Sequence, residues 1–472
     1  MRNFEGNRNR FAFSFIIACI IGLYFLFKYP GPEFTNLERA CYFVVLLFAY
    51  EMLVLLVYMF SRQDFYIFEP MVIIWAMFFC TYGLQPLIDI LNHSTSLSGV
   101  DTIDGGIKCT VIVGTSFFIL FYFYYKNKNR FTGNIPYQWQ DISYRKYKDS
   151  SHVAFINLVI WEISFLMFFL YLYKARGLSF KYILSAGTSG AMNSSQVSST
   201  PLGFLSNFST TMIASYMYYL YYGKSKILKV GMFIGTMLLY ILNGYRFVIV
   251  IFLLSLMVHY YITRGKKPSW VVIGTCLLAL LLLSAMLAAT RNSLRHGGGW
   301  ALTTFSLEVI VSPFESNFIL YKPFWRLVQY YPSQYGYTLG YQMIIYTIIM
   351  FVPRALWPGK PGPPTKEVMM NIFSNPNIAG TQAFSSIGEY YHEFGTIGSI
   401  ILMGVFGSVC GKLNGLYVTR SLDDQRAISY SVAFPVVFSL INAGYTPANF
   451  YMVLFAYIPI IFVALFVNKE IE

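Results

Sequence analysis

Tyr341-Gln342-Met343-Ile344-Ile345-Tyr346-Thr347-Ile348-Ile349-Met350-Phe351 is apolar enough for the interior of a membrane and too short to cross one. A helix rises 1.5 Å per residue, so a run of this length reaches about 16 Å, against roughly 30 Å of hydrocarbon. Pro353 ends it, because proline lacks an N–H and its ring clashes with the preceding turn. The run is therefore expected to be a re-entrant or interfacial helix. Backbone at that depth is tolerated only where protein or enclosed water covers it, so the helix is expected to wall a cavity.

Outward from this run the chain stays unlike its surroundings. Arg291 to Gly395 is the one long interval that does not read as spans joined by short loops. It opens on Thr290-Arg291-Asn292-Ser293-Leu294-Arg295-His296, passes through Pro353-Arg354-Ala355-Leu356-Trp357-Pro358-Gly359-Lys360-Pro361, and closes on Ser386-Ile387-Gly388-Glu389-Tyr390-Tyr391-His392-Glu393-Phe394-Gly395. Elsewhere, apolar runs of about 18 to 22 residues recur along the chain. With 56% hydrophobic and only 12% charged residues, the composition is that of a polytopic helical membrane protein. A soluble domain carries about twice that charged fraction, and a membrane barrel would alternate in segments of about ten residues.

The spans follow in order: Phe11–Lys28, Arg39–Phe60, Pro70–Ile88, Ile107–Tyr125, Val153–Tyr173, Leu202–Tyr222, Val230–Leu242, Phe247–Tyr261, Trp270–Ala289, Thr396–Tyr417, Ile428–Leu440 and Ala448–Val467. Basic residues mark the cytoplasmic loops, most clearly Lys126, Lys128, Arg130, Arg145, Lys146 and Lys148. Most of the net charge of +13 is explained in this way, without nucleic acid. Arg2, Arg8 and Arg10 hold the start inside, and Met1–Leu26 lacks a small-residue cleavage site, so it reads as a first span rather than a removed signal. Parity then puts Arg291 outside and Lys412–Arg426 inside, so the interval between them makes no net crossing before the Thr396 span. The expected fold is all-α and polytopic: about twelve transmembrane helices, both termini cytoplasmic, a single integral membrane domain over residues 1–472, and one large extracytoplasmic segment, 291–395.

Within that segment, Arg291 and Arg295 share a helix face, about 6 Å apart at Cβ if the ninth span continues outward. Two guanidiniums so placed repel unless an anion lies between them. A diphosphate suits them, because arginine presents planar bidentate donors to phosphate oxygens. Arg354, stiffened by neighbouring prolines, and Lys360 extend the anion platform. Arg246, in the Asn243-Gly244-Tyr245-Arg246 turn between two spans, lies on the same side. Glu389 and His392 are the candidates for proton transfer, since an apolar boundary strengthens a carboxylate as a base. Glu389 has two other readings: a positioner of an arginine, or a carboxylate set by a helix dipole. Glu51 and Glu162 are intramembrane carboxylates without an assigned partner. The six cysteines and five histidines show no metal or disulfide spacing, so neither cofactor nor metal is expected.

The run Arg354-Ala-Leu-Trp-Pro-Gly-Lys-Pro, with Ser386-Ile-Gly-Glu-Tyr-Tyr-His-Glu-Phe-Gly-Thr-Ile-Gly, resembles the Wzy-type O-antigen or oligosaccharide repeat-unit polymerases. The Asn243-Gly-Tyr-Arg246 turn and Thr290-Arg291 are similar to that family too. The resemblance implies a GT-C-like membrane glycosyltransferase of the bacterial inner membrane. Its donor and acceptor are both undecaprenyl-diphosphate-linked oligosaccharides, and the growing glycan passes to the incoming repeat unit with the diphosphate lipid as leaving group. It further implies O-antigen, lipopolysaccharide or capsule biosynthesis, with a chain-length regulator and a flippase as protein partners and membrane lipid around it. Arginines that neutralise the leaving group and a base for the acceptor hydroxyl would suit that chemistry. A lipid-linked glycan ligase shares this architecture and stays open as an alternative. A flippase or other transporter is disfavoured, because no internal repeat stands out.

Overall fold

Apolar length decides which segments become helices here, and the expected spans that lie among the described residues fall on helices. The computed structural model describes residues 2–62, 64–132, 150–176, 203–243, 246–264, 271–275, 318–352, 356–361, 364–373, 384–419 and 424–467, with isolated positions between 268 and 282. The helices, in chain order, are α1 (Arg2–Phe27), α2 (Asn36–Ser61), α3 (Pro70–Leu91, through a π-helical turn at Phe79–Leu84), α4 (Gly106–Thr132), α5 (Ser150–Arg176), α6 (Phe208–Tyr222), α7 (Lys226–Asn243) and α8 (Arg246–Arg264). Then follow α9 (Tyr321–Tyr330), α10 (Tyr346–Phe351, led in by a π-helical turn at Tyr341–Ile345), α11 (Pro364–Phe373), α12 (Ser385–Val418), α13 (Asp424–Ala443) and α14 (Thr446–Phe466). The span expected at Trp270–Ala289 lies largely outside the described residues.

Seven helices among the described residues are long and apolar enough to cross a membrane: Asn36–Ser61, Pro70–Leu91, Ile103–Arg130, Ser151–Lys174, Lys226–Asn243, Ser385–Val418 and Thr446–Phe466. Phe11–Phe27, Val248–Arg264 and Tyr341–Met350 are shorter apolar helices. The eleven-residue run that opened the sequence reading is thus a helix too short to span, as expected. The segment around it is more structured than a loop, because α9 and α11 also form there.

Among the described residues two large apolar cores, with a smaller one around Tyr66, Val258, Tyr417 and Tyr430, organise the bundle. One gathers α1–α4, α9, α11 and α12 around Tyr42, Met71, Phe117, Trp325 and Tyr391. The other gathers α5–α8, α13 and α14 around Phe168, Met217, Tyr240, Phe252 and Ile460. α13 joins them, giving Ile428 and Val432 to the second core and Val437 and Ile441 to the first.

The tightest seam runs between α4 and α12. A Cβ at Gly407 would collide with the Leu120 carbonyl oxygen, and one at Gly411 would stand 2.5 Å from the Tyr124 oxygen. Small residues let helix backbones approach closely where lipid supplies no hydrophobic drive for association. Gly407→Leu is therefore expected to force the two helices apart and cost about 3 kcal/mol. Thermal unfolding of the detergent-solubilised protein reads this as an early transition. An unchanged transition would mean that the seam yields freely.

Ion pairs sit at both ends of the bundle. At one end Lys128 is fully buried, 3.0 Å from both Asp64 and Glu69, and Arg62 pairs with Asp64 at 2.8 Å. Burial alone would raise the Asp64 carboxyl, but the hydrogen bonds from Arg62 and the charges of Lys128 and Arg62 outweigh it and hold the group down at about 2. At the other end Lys322 of α9 pairs with Asp89 at 2.9 Å, and the Tyr321 hydroxyl donates to the same carboxylate at 2.5 Å. These contacts fasten the start of α9 to the end of α3.

Candidate functional site

Gly395 creates the site by interrupting α12. Its φ of 70° and ψ of −163° are open to glycine and strained for any other residue. A Cβ there would meet the Tyr337 ring at 2.7 Å. The break leaves the carbonyls just before it without their helical donors. The strip Thr338–Gly340 supplies replacements. Thr338 N–H donates to the His392 carbonyl at 3.3 Å, and Leu339 N–H donates to the Glu393 carbonyl at 2.9 Å. Gly340, itself at φ 93°, donates its N–H to the Glu393 Oε2 at 2.7 Å. The short α10 region is thereby hung from the break in α12.

Glu389 lies one turn earlier on the same face as Glu393 and is buried. Thr446 N–H donates to its Oε1 at 2.9 Å and its Oε2 at 3.0 Å, the Thr446 hydroxyl donates to Oε2 at 2.7 Å, and Gln342 Nε2 donates to Oε1 at 3.1 Å. Thr446 begins α14, so the carboxylate caps the N-terminus of that helix, where the dipole favours negative charge. Glu389 thus ties three elements together: α12, α14 and the π-helical turn before α10. Of the roles open at the sequence level, the helix-dipole one matches this geometry, though the helix concerned is α14 and not its own.

His392 and Glu393 are less fully partnered. The His392 ring packs edge-on to Tyr331 at 5.0 Å, and its Nδ1 lies 3.4 Å from the Thr338 Oγ1 and 3.6 Å from the Glu393 Oε1. Its Nε2, the Glu393 Oε1 and the Gln342 Oε1 are buried without a hydrogen-bond partner among the described residues. Buried polar atoms left open in this way cost about 1–3 kcal/mol each. The Glu393 Oε1 and the His392 ring lie side by side.

The basic candidates are placed less closely. Arg246 is the first residue of α8. Arg291, Arg295 and Arg354 lie outside the described residues. Lys360 is buried, and its ammonium donates to the Met350 and Val352 carbonyls at 3.0 Å each. It therefore caps the C-terminal end of α10, as cations do at helix ends. Among the described residues no group of three His, Cys, Asp or Glu side chains stands where it could hold a metal ion.

Four site residues went unnoticed in the sequence: Gln342, Glu393, Thr446 and Thr338. Glu393 carried a readable signal, since a second carboxylate four residues after Glu389 falls on the same helix face. The other three carried none, because Gln342 and Thr446 reach Glu389 only through the tertiary fold. Arg326 was also missed. Its guanidinium donates to the Ile372 carbonyl, Gln329 and Tyr330, tying α9 to α11.

The chain matches the family model of the O-antigen polysaccharide polymerase Wzy over residues 9–470, nearly its whole length, and it belongs to that family. No curated protein and no solved structure matches it. The family's activity is the polymerisation of O-antigen repeat units, which are lipid-linked oligosaccharides. With seven candidate spans among its described residues, the chain is a multi-pass membrane protein of that family.

Proposed function

We propose that this O-antigen polymerase joins undecaprenyl-diphosphate-linked repeat units on the outer face of the bacterial inner membrane, as a GT-C-like glycosyltransferase of about twelve spans. The observation that carries the reading is the polar cluster around the α12 break, with Gln342, Glu389, His392 and Glu393 buried and Thr446 half-buried beside them. It lies at the end of the bundle opposite the Arg62, Lys128 and Arg130 end. By the positive-inside rule the basic end is cytoplasmic, which turns the cluster outward and leaves both termini inside.

In this reading the acceptor hydroxyl attacks the donor's anomeric carbon and the diphosphate departs. Arg246, Arg291, Arg295 and Arg354 neutralise the leaving group, with Lys360 adding its charge from beneath α10. His392 handles the acceptor proton. Glu389, its oxygens already engaged by Thr446 and Gln342, holds the site's elements in register.

The test is deletion of the gene, with surface polysaccharide resolved on a gel. Loss of a polymerase leaves lipid A-core capped by a single repeat unit. No capping at all would point to a ligase, and repeat units retained on the inner leaflet would point to a flippase. In complemented cells Arg291→Ala and Arg354→Ala are each expected to cut polymer at least about 100-fold, as loss of one charge-stabilising group does in other enzymes. Full chain length in either variant would remove that arginine from the diphosphate role.

A further inference from the structure

We infer that Glu393 is a positioning residue for His392, fixing the imidazole so that Nε2 accepts the acceptor-sugar proton. The inference rests on the glycosyl-transfer reading above and assigns a role to a residue that reading leaves unused.

The geometry separates the two glutamates of α12. Among the described residues, both Glu389 oxygens are engaged, by the Thr446 N–H and hydroxyl and the Gln342 amide. Glu393 is fully buried, and only its Oε2 is engaged, by the Gly340 N–H at 2.7 Å. Its Oε1 has no hydrogen-bond partner among the described residues and lies 3.6 Å from the His392 Nδ1. A neutral imidazole carries one N–H and one acceptor nitrogen. A carboxylate beside Nδ1 places the hydrogen there and leaves the Nε2 lone pair open, and it is Nε2 that stands without a partner. Among the described residues no Lys or Arg pairs with Glu393; a buried carboxylate without a cation is costly, and an imidazolium formed during the reaction would offset that cost.

The step balances. The acceptor hydroxyl oxygen forms a bond to the anomeric carbon, and the carbon–oxygen bond to the diphosphate breaks, its electron pair leaving with the phosphate. The hydroxyl proton moves to the His392 Nε2, whose positive charge then faces Glu393. The spacing of 3.6 Å is loose for a hydrogen bond, as catalytic contacts are before substrate binds. The Gly395 break sets this arrangement, because the Thr338–Gly340 strip grips the His392 and Glu393 carbonyls and the Glu393 carboxylate together.

The experiment uses the full-length protein in nanodiscs, supplied with the host's undecaprenyl-diphosphate-linked repeat unit. Glu393→Gln keeps an acceptor oxygen for the Gly340 N–H and removes only the charge. It is expected to lower kcat about 100-fold with KM and thermal stability near those of the native protein. His392→Gln is expected to lose as much, and the double variant no more than either single one, since residues acting as a unit are not additive. Glu393→Asp, which keeps the charge, is expected to recover part of the rate, and it replaces Glu393→Gln as the readout if the latter does not fold. Full turnover in Glu393→Gln or in His392→Gln overturns the inference. So does a double variant whose loss is the product of the two single losses, which a merely structural Glu393 would give. Failure of the native protein to lengthen the glycan at all would instead overturn the glycosyl-transfer reading itself.

Discussion

Glu389→Ala is expected to abolish the folded protein rather than slow it. The truncation strands the Thr446 N–H, the Thr446 hydroxyl and the Gln342 amide in a buried place, and it removes the anion at the N-terminus of α14. One to three kcal/mol for each of the three stranded donors sums to about 3–9 kcal/mol, a large part of any domain's stability. Fluorescence size-exclusion chromatography of the solubilised protein should show little monodisperse material. Glu389→Gln retains one acceptor oxygen but sets an amide nitrogen against the Thr446 N–H, and is expected to cost about 2 kcal/mol. It should leave a folded protein with reduced thermal stability and measurable polymer. A folded Glu389→Gln variant with no polymer would restore Glu389 as the proton acceptor and displace His392 from that role.

The second large effect is expected at Gly395. Alanine there meets two separate penalties: a backbone conformation that costs about 1–3 kcal/mol for a residue with a Cβ, and a collision with the Tyr337 ring. Relaxing either would draw α12 toward a continuous helix. The His392 and Glu393 carbonyls would then take back their helical donors, and the Thr338–Gly340 strip would lose its hold. Gly395→Ala should therefore lower thermal stability and also remove polymer, because the site is assembled by the break. Tyr337→Ala in the same chain relieves the collision alone. It is expected to recover some stability without restoring polymer, whereas full recovery of both would show that the backbone conformation is dispensable.

Glu389 also shows how far the sequence reached. Its helix, its aromatic neighbours and its closeness to the end of a span were legible, because local composition and the 3.6-residue period encode them. Its partner was not. Thr446 lies 57 residues away, and no pattern in the chain marks which helix start will stand beside which carboxylate. The same limit hid the tie between Lys322 and Asp89, and the way Lys360 turns to the carbonyls of α10 instead of outward. Sequence placed a span at Thr396. The structure begins the helix at Ser385 and breaks it at Gly395, because the Thr338–Gly340 strip satisfies the carbonyls freed there.

What the sequence determined by itself is the membrane architecture. Apolar length measured against bilayer thickness separates helices that can cross from the Tyr341–Phe351 run that cannot, and this requires no knowledge of neighbours. What only the tertiary structure decided is which partners Glu389, His392 and Glu393 meet. They sit within about one helical turn of each other, and each carries a group able to exchange a proton. Each differs in which donors from distant segments arrive to occupy it, and hydrogen bonds between elements far apart in the chain leave no periodic trace.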